Sequence, residues 1–165
     1  MDEWLKAAGS GLVASLVMFV VLALGIHVTG FAPFNMPPSA AFLEVLGLNT
    51  GPLPLFAHFG YGAFWSIVLV RLYGGAVDVK KGLTLAGGLW LFMMGVYSPV
   101  IGWGFFGFGT AGQMAESAPL YLEPGPKYAV LTFVLHALYG AIVGKMNAML
   151  VSDDADTSSA VRAAA

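Results

Sequence analysis

An all-α fold, a membrane-spanning four-helix bundle made of two parallel-repeated helical hairpins, is what this sequence predicts. Three observations predict it: an apolar composition, four uncharged runs of bilayer length, and a short motif that occurs twice. Hydrophobic residues make up 58% of the chain, charged residues 10%, and the mean hydropathy is +0.81. A soluble domain carries roughly a quarter of its residues charged, so most side chains here must face something apolar.

A helix crosses the hydrocarbon core with about 20 apolar residues. Four such runs are legible, roughly 12–29, 53–73, 83–103 and 128–150. None holds an Asp or Glu, and Arg71 and Lys145 sit near span ends, where their stems can snorkel to water. The leader MDEWLK has two acids against one Lys, and no small-x-small cleavage site follows, so the first run is read as a retained helix. The first connection, about 30–52, contains Pro33, Pro37 and Pro38, which exclude a continuous helix. Within it Ser39 to Leu46 is expected to form a short interfacial helix. The second connection, with Gly74, Gly75, Asp78, Lys80 and Lys81, is tight and polar. The third opens on Phe105-Phe106-Gly107-Phe108-Gly109, where an aromatic belt including Trp103 is expected at the interface. In the third span Ser98-Pro99 predicts a kink whose freed carbonyls line a small cavity. Residues 1–150 form one transmembrane domain on this reading, and 151–165 a flexible cytoplasmic tail.

Charge sets the expected orientation. Lys6, Arg71, Lys80, Lys81, Lys145 and Arg162 fall on the side of the termini, and Lys127 alone falls opposite. The positive-inside rule then puts both termini in the cytoplasm of a multi-pass protein of the cell membrane. A net charge of −2 offers no basic stripe for nucleic acid, and the absence of Cys excludes disulfides, iron–sulfur clusters and thiolate metal sites.

The repeat lies in the second and fourth spans. His58-Phe-Gly-Tyr61-Gly62-Ala63 aligns without a gap on His136-Ala-Leu-Tyr139-Gly140-Ala141. A weaker match relates Leu16-Val-Met-Phe19 to Leu89-Trp-Leu-Phe92. A duplicated hairpin leaves such a trace, with the second and fourth helices expected to face each other near the axis.

Positions i and i+4 share a helix face. His58 with Gly62, and His136 with Gly140, therefore form two equivalent stripes. One expectation is a haem or other tetrapyrrole between the two imidazoles, with Gly62 and Gly140 making room and Tyr61 and Tyr139 beside it. A metal site using His27, His58 and His136 is a second. A third treats the repeated histidines as packing elements bonded to backbone carbonyls. Catalysis finds no nucleophile signature and no pair of carboxylates at membrane depth.

The two-hairpin layout, the loop sequence Phe42-Leu43-Glu44-Val45-Leu46 and the segment His136-Ala-Leu-Tyr139-Gly140-Ala-Ile-Val-Gly144 resemble a family of small uncharacterised prokaryotic, haloarchaeal-type, four-helix membrane proteins. The resemblance covers nearly the whole chain and implies the fold; it carries no activity. The expected role is a non-enzymatic accessory or assembly subunit of a larger membrane complex, such as an electron-transfer one, with membrane lipid and other membrane subunits or itself as partners. A small homo-oligomeric channel or carrier, or a histidine-based metal-handling protein, are the alternatives.

Overall fold

The computed structural model describes residues 2–48 and 51–163, with side chains as far as residue 151. It is all-helical. Its helices are α1 (Glu3–His27), α2 (Pro38–Val45), α3 (Leu53–Tyr73), α4 (Val79–Phe92), α5 (Ser98–Val100) and α6 (Lys127–Ala163). A π-helical turn, Met93–Tyr97, fuses α4 to α5. Among the described residues the extended structure is one isolated bridge, Phe34 to Leu122. Among the described residues four stretches are long and apolar enough to cross a membrane: Glu3–His27, Leu53–Ala76, Val79–Val100 and Lys127–Val151.

The helix boundaries follow local chemistry. Pro38 starts α2, and α3 opens on Pro52, Leu53 and Pro54, where a missing N–H costs nothing. The Asp78 carboxylate caps α4 by accepting from the Lys81 backbone N–H at 2.8 Å. Its acidity is raised, so its pKa lies below the usual carboxylate value, chiefly because of that N–H bond. Two boundaries differ from expectation. The first span begins nine residues earlier than residue 12, at Glu3, since Ala7, Ser10 and Gly11 are buried against neighbouring helices and extend the packed face. The backbone of α6 continues helically beyond residue 150 to Ala163, where the sequence suggested a flexible tail.

Helix α1 lies along α3, α4 lies along α6, and α1 against α6 joins the two pairs. The second and fourth spans, expected to face each other, hardly touch by backbone. The glycines decide this. A methyl at Gly140 would stand 2.6 Å from the Gly82 carbonyl oxygen and 2.7 Å from the Ala86 Cβ, so α4 occupies that face. A methyl at Gly62 would collide with the Ser15 side chain, so α1 occupies that one. Each small-residue stripe is thus used by the partner helix of its own pair, as close backbone approach in a bilayer requires.

Side chains bridge where the backbones do not. The Tyr139 hydroxyl donates to the Gly62 carbonyl at 2.6 Å, and Asn147 Nδ2 to Ser66 Oγ at 2.9 Å. At the end of the bundle bearing the N-terminus, Lys6 Nζ donates to the Leu150 carbonyl at 2.8 Å. At the other end the first and third connections pack on each other. The Glu123 N–H donates to the Pro33 carbonyl at 2.7 Å. Phe34 stacks on Trp103 at 5.5 Å, and Trp103 meets Tyr128 edge-on at 5.1 Å. Trp103 is 0% exposed and bonds the Leu120 carbonyl through Nε1, so it is core rather than belt. Phe105, Phe106 and Phe108 do remain exposed.

Candidate functional site

The π turn marks where the third span opens. Proline 99 has no N–H to give, and the Ser98 N–H bonds the Met93 carbonyl five residues back. The Ser98 hydroxyl reaches the same oxygen at 2.8 Å and meets the Tyr128 hydroxyl at 2.6 Å. The extra residue in this turn places Met93 and Tyr97 on the inner face, beside Leu89 and Phe92 of α4. The kink expected at Ser98-Pro99 is therefore a π bulge, and a cavity lies against it.

That cavity measures about 380 Å³ and is walled by all four spans and α2. From α1 come Ser15, Met18 and Leu22, and from α3 Ala57, His58, Tyr61 and Gly62. From α6 come Thr132, Leu135, His136 and Tyr139. Over one end lie Phe34, Pro37 and the α2 residues Pro38, Ser39, Phe42 and Leu43. A bond of 2.7 Å from the Tyr97 hydroxyl to the Pro38 carbonyl, with Phe42 stacked on Tyr97 at 5.3 Å, ties α2 to the π turn.

Both repeated histidines border this space, and both are anchored on backbone carbonyls. His58 Nε2 lies 3.0 Å from the Ser15 carbonyl on α1. His136 Nδ1 lies 2.8 Å from the Thr132 carbonyl one turn back on α6. A carbonyl oxygen only accepts, so each of these nitrogens carries the proton. In a neutral ring the other nitrogen, His58 Nδ1 and His136 Nε2, is a bare acceptor. Such a second bond is what fixes an imidazole's tautomer and aim.

Of the residues singled out in the sequence, His58, His136, Tyr61, Tyr139 and Gly62 border one cavity; Gly140 does not. The glycines do not make room for a ring, because α1 and α4 cover them. Nor can the two histidines approach a ring through matching Nε2 atoms, since that of His58 is turned to α1. Of the two, only His136 has its Nε2 uncommitted to a backbone carbonyl. The three-histidine metal site is not assembled. His27 is exposed at the end of α1, outside the cavity, and no cluster of three metal-ligating side chains exists among the described residues.

Sequence reasoning missed Tyr97, α2 as a cover and Asn147. The last had a signal, being the one Asn within a span. Asn147 is fully buried, and its Oδ1 has no hydrogen-bond partner among the described residues. Compared with models of known families, with curated proteins and with solved structures, the chain matches none.

Proposed function

We propose that this chain is a non-enzymatic, multi-pass protein of the cell membrane that holds an apolar small molecule in its inter-helix cavity. We further propose that it acts as an accessory subunit of a larger membrane assembly. One observation carries the reading: a roughly 380 Å³ space, lined mostly by apolar side chains and bordered by two histidines, each anchored through one ring nitrogen on a backbone carbonyl. Ligand pockets have this build, largely hydrophobic with a few placed polar groups, at about 300–1,000 Å³. The lining includes imidazoles and phenols but no carboxylate, which favours binding over acid–base chemistry.

The remaining expectations extend this proposal. The bias of Lys and Arg toward the side of the termini supports cytoplasmic termini, an orientation in which the cavity would lie in the outer half of the bilayer. Descent from a duplicated hairpin is supported by packing. Gly62 rests on Gly11 and Ser15, and Gly140 on Gly82 and Ala86, two pairs with the same spacing of four. This register makes Gly11 equivalent to Gly82, two residues away from the register of the weaker LVMF/LWLF match. A channel or carrier draws on the string Tyr139, Ser66 and Asn147 below the cavity, but these groups bond to one another or to backbone in a filled core.

The test is gentle solubilisation followed by an optical spectrum, oxidised and reduced, with organic extraction and mass spectrometry of the same sample. A molecule that co-purifies with the wild type and is lost in His136→Ala, with helicity retained, is the expected result. A Soret band lost in that variant would make the molecule a tetrapyrrole held by His136. A protein that carries nothing, and takes up no lipid-soluble probe, would overturn the reading.

A further inference from the structure

We infer that the cavity takes a lipid-soluble hydroxylated ring, of the phenol or quinol type, and that this molecule reaches it sideways from the bilayer between α3 and α4. The inference rests on the ligand-holding role proposed above.

The route follows from which lining residues are exposed. Among all that border the cavity, three are: Ala57 and Tyr61 on α3, and Phe92 on α4. All three lie inside membrane-spanning stretches. Although α3 and α4 are consecutive, they barely touch, which leaves a gap between them where the other neighbouring spans are closed. The opposite wall is shut by α1 against α6. Toward the long connections the space is covered by α2, held down by the Tyr97–Pro38 hydrogen bond and the Phe42–Tyr97 stack. The mouth therefore faces hydrocarbon, and a molecule dissolved in lipid meets it first.

The chemistry follows from the imidazoles. With His58 Nε2 and His136 Nδ1 each giving its proton to a carbonyl, the other nitrogen of each neutral ring, on a residue that borders the cavity, is an acceptor. The Tyr139 and Tyr97 hydroxyls are likewise committed as donors to backbone carbonyls. A ligand that brings its own O–H groups satisfies these nitrogens. One that brings only carbonyl oxygens leaves both imidazole nitrogens without a donor and relies on hydroxyls such as those of Ser39 and Tyr61, which also border the space. Size and walls favour a ring: an apolar cavity of about 150 Å³ already admits benzene, and Phe34, Phe42, Phe92 and Tyr97 supply aromatic faces.

The experiment uses the full chain in lipid nanodiscs. Retention of a short-chain alkyl benzoquinol, kept reduced under argon, and of its oxidised benzoquinone is measured against empty nanodiscs. The quinol is expected to bind at least tenfold more tightly than the quinone, and His136→Leu to remove most of that preference. Ala57→Trp, at an exposed position of the mouth, is expected to slow uptake at least tenfold with unchanged helicity. Equal binding of both redox forms overturns the hydroxyl-donor assignment while the ligand-holding role stands. Unchanged uptake in Ala57→Trp overturns the lateral route. Retention of neither probe above empty nanodiscs, from a protein that also purifies without a bound molecule, overturns both this inference and the role beneath it.

Discussion

Replacing Gly140 with Ala adds one methyl group to the fourth span, and the structure says what that methyl meets. It would lie 2.6 Å from the Gly82 carbonyl oxygen and 2.7 Å from the Ala86 Cβ. The nearer contact is to backbone, which no rotamer change can relieve. Restoring ordinary van der Waals distance requires α4 and α6 to part by about 0.8 Å, and overpacking of this kind costs about 1–3 kcal/mol. The same substitution at Gly88, on α4, meets nothing within 4 Å. There Ala replaces Gly in a helix interior without a clash, for a gain of up to about 1 kcal/mol. Both variants add the same methyl to a helix interior, so the gain common to both cancels and their separation, about 1–3 kcal/mol, isolates the helix contact. Reversible unfolding in mixed micelles with increasing SDS, followed by tryptophan fluorescence, measures it. A Gly140→Ala protein as stable as the wild type would refute the α4–α6 interface described above. So would a Gly88→Ala protein equally damaged.

Tyr139→Phe removes the hydroxyl that joins the fourth span to the Gly62 carbonyl and is expected to cost about 0.6–1.7 kcal/mol; the same unfolding assay checks it. Asn147→Leu removes a buried carbonyl oxygen that lacks a partner among the described residues, along with one hydrogen bond to Ser66. Because an orphaned polar group costs about 1–3 kcal/mol, the variant should be as stable as the wild type or more so. A loss above about 2 kcal/mol would show that a bound water satisfies Oδ1. Asp78 has its pKa lowered by the Lys81 N–H bond. Its capping contribution is thus complete above the ordinary carboxylate range and is lost as pH falls through the lower folded value. Thermal unfolding of Asp78→Asn, followed from pH 6 to pH 3, should lack the acid-side decline that the wild type shows.

The histidine motif was a partial guide to the cavity. It singled out His58, His136, Tyr61 and Tyr139, and the structure sets all four on the border of one cavity, since a repeated polar group on an apolar helix has to be housed somewhere. The glycines beside them serve close approach of helices, Gly62 to α1 and Gly140 to α4. Spacing shows that Gly62 shares a face with His58 and that Gly140 shares one with His136, yet a face is wide enough for the histidine to border a cavity while the glycine meets a neighbouring helix. The cover formed by α2 was half legible. The short helix was expected over Ser39 to Leu46, while the hydrogen bond from Tyr97 that fixes it over the cavity joins residues far apart in the chain.

By itself the sequence determined the class of protein, the number of spans and the ends of most of them. Those properties are local: apolar composition is summed over a window, and Pro, Gly and Asp punctuate helices through their own backbone chemistry. Only the tertiary structure decided which spans pair, where Trp103 is buried, what Asn147 meets and that a cavity is left between α3 and α4. A soluble helix advertises its inner face by a stripe of apolar residues. The spans here are apolar nearly all round, as a lipid solvent allows, so the pattern leaves the rotation of each helix about its axis unspecified. Close-fitting glycines and a handful of interhelical hydrogen bonds set that rotation, and they act between residues the sequence keeps apart.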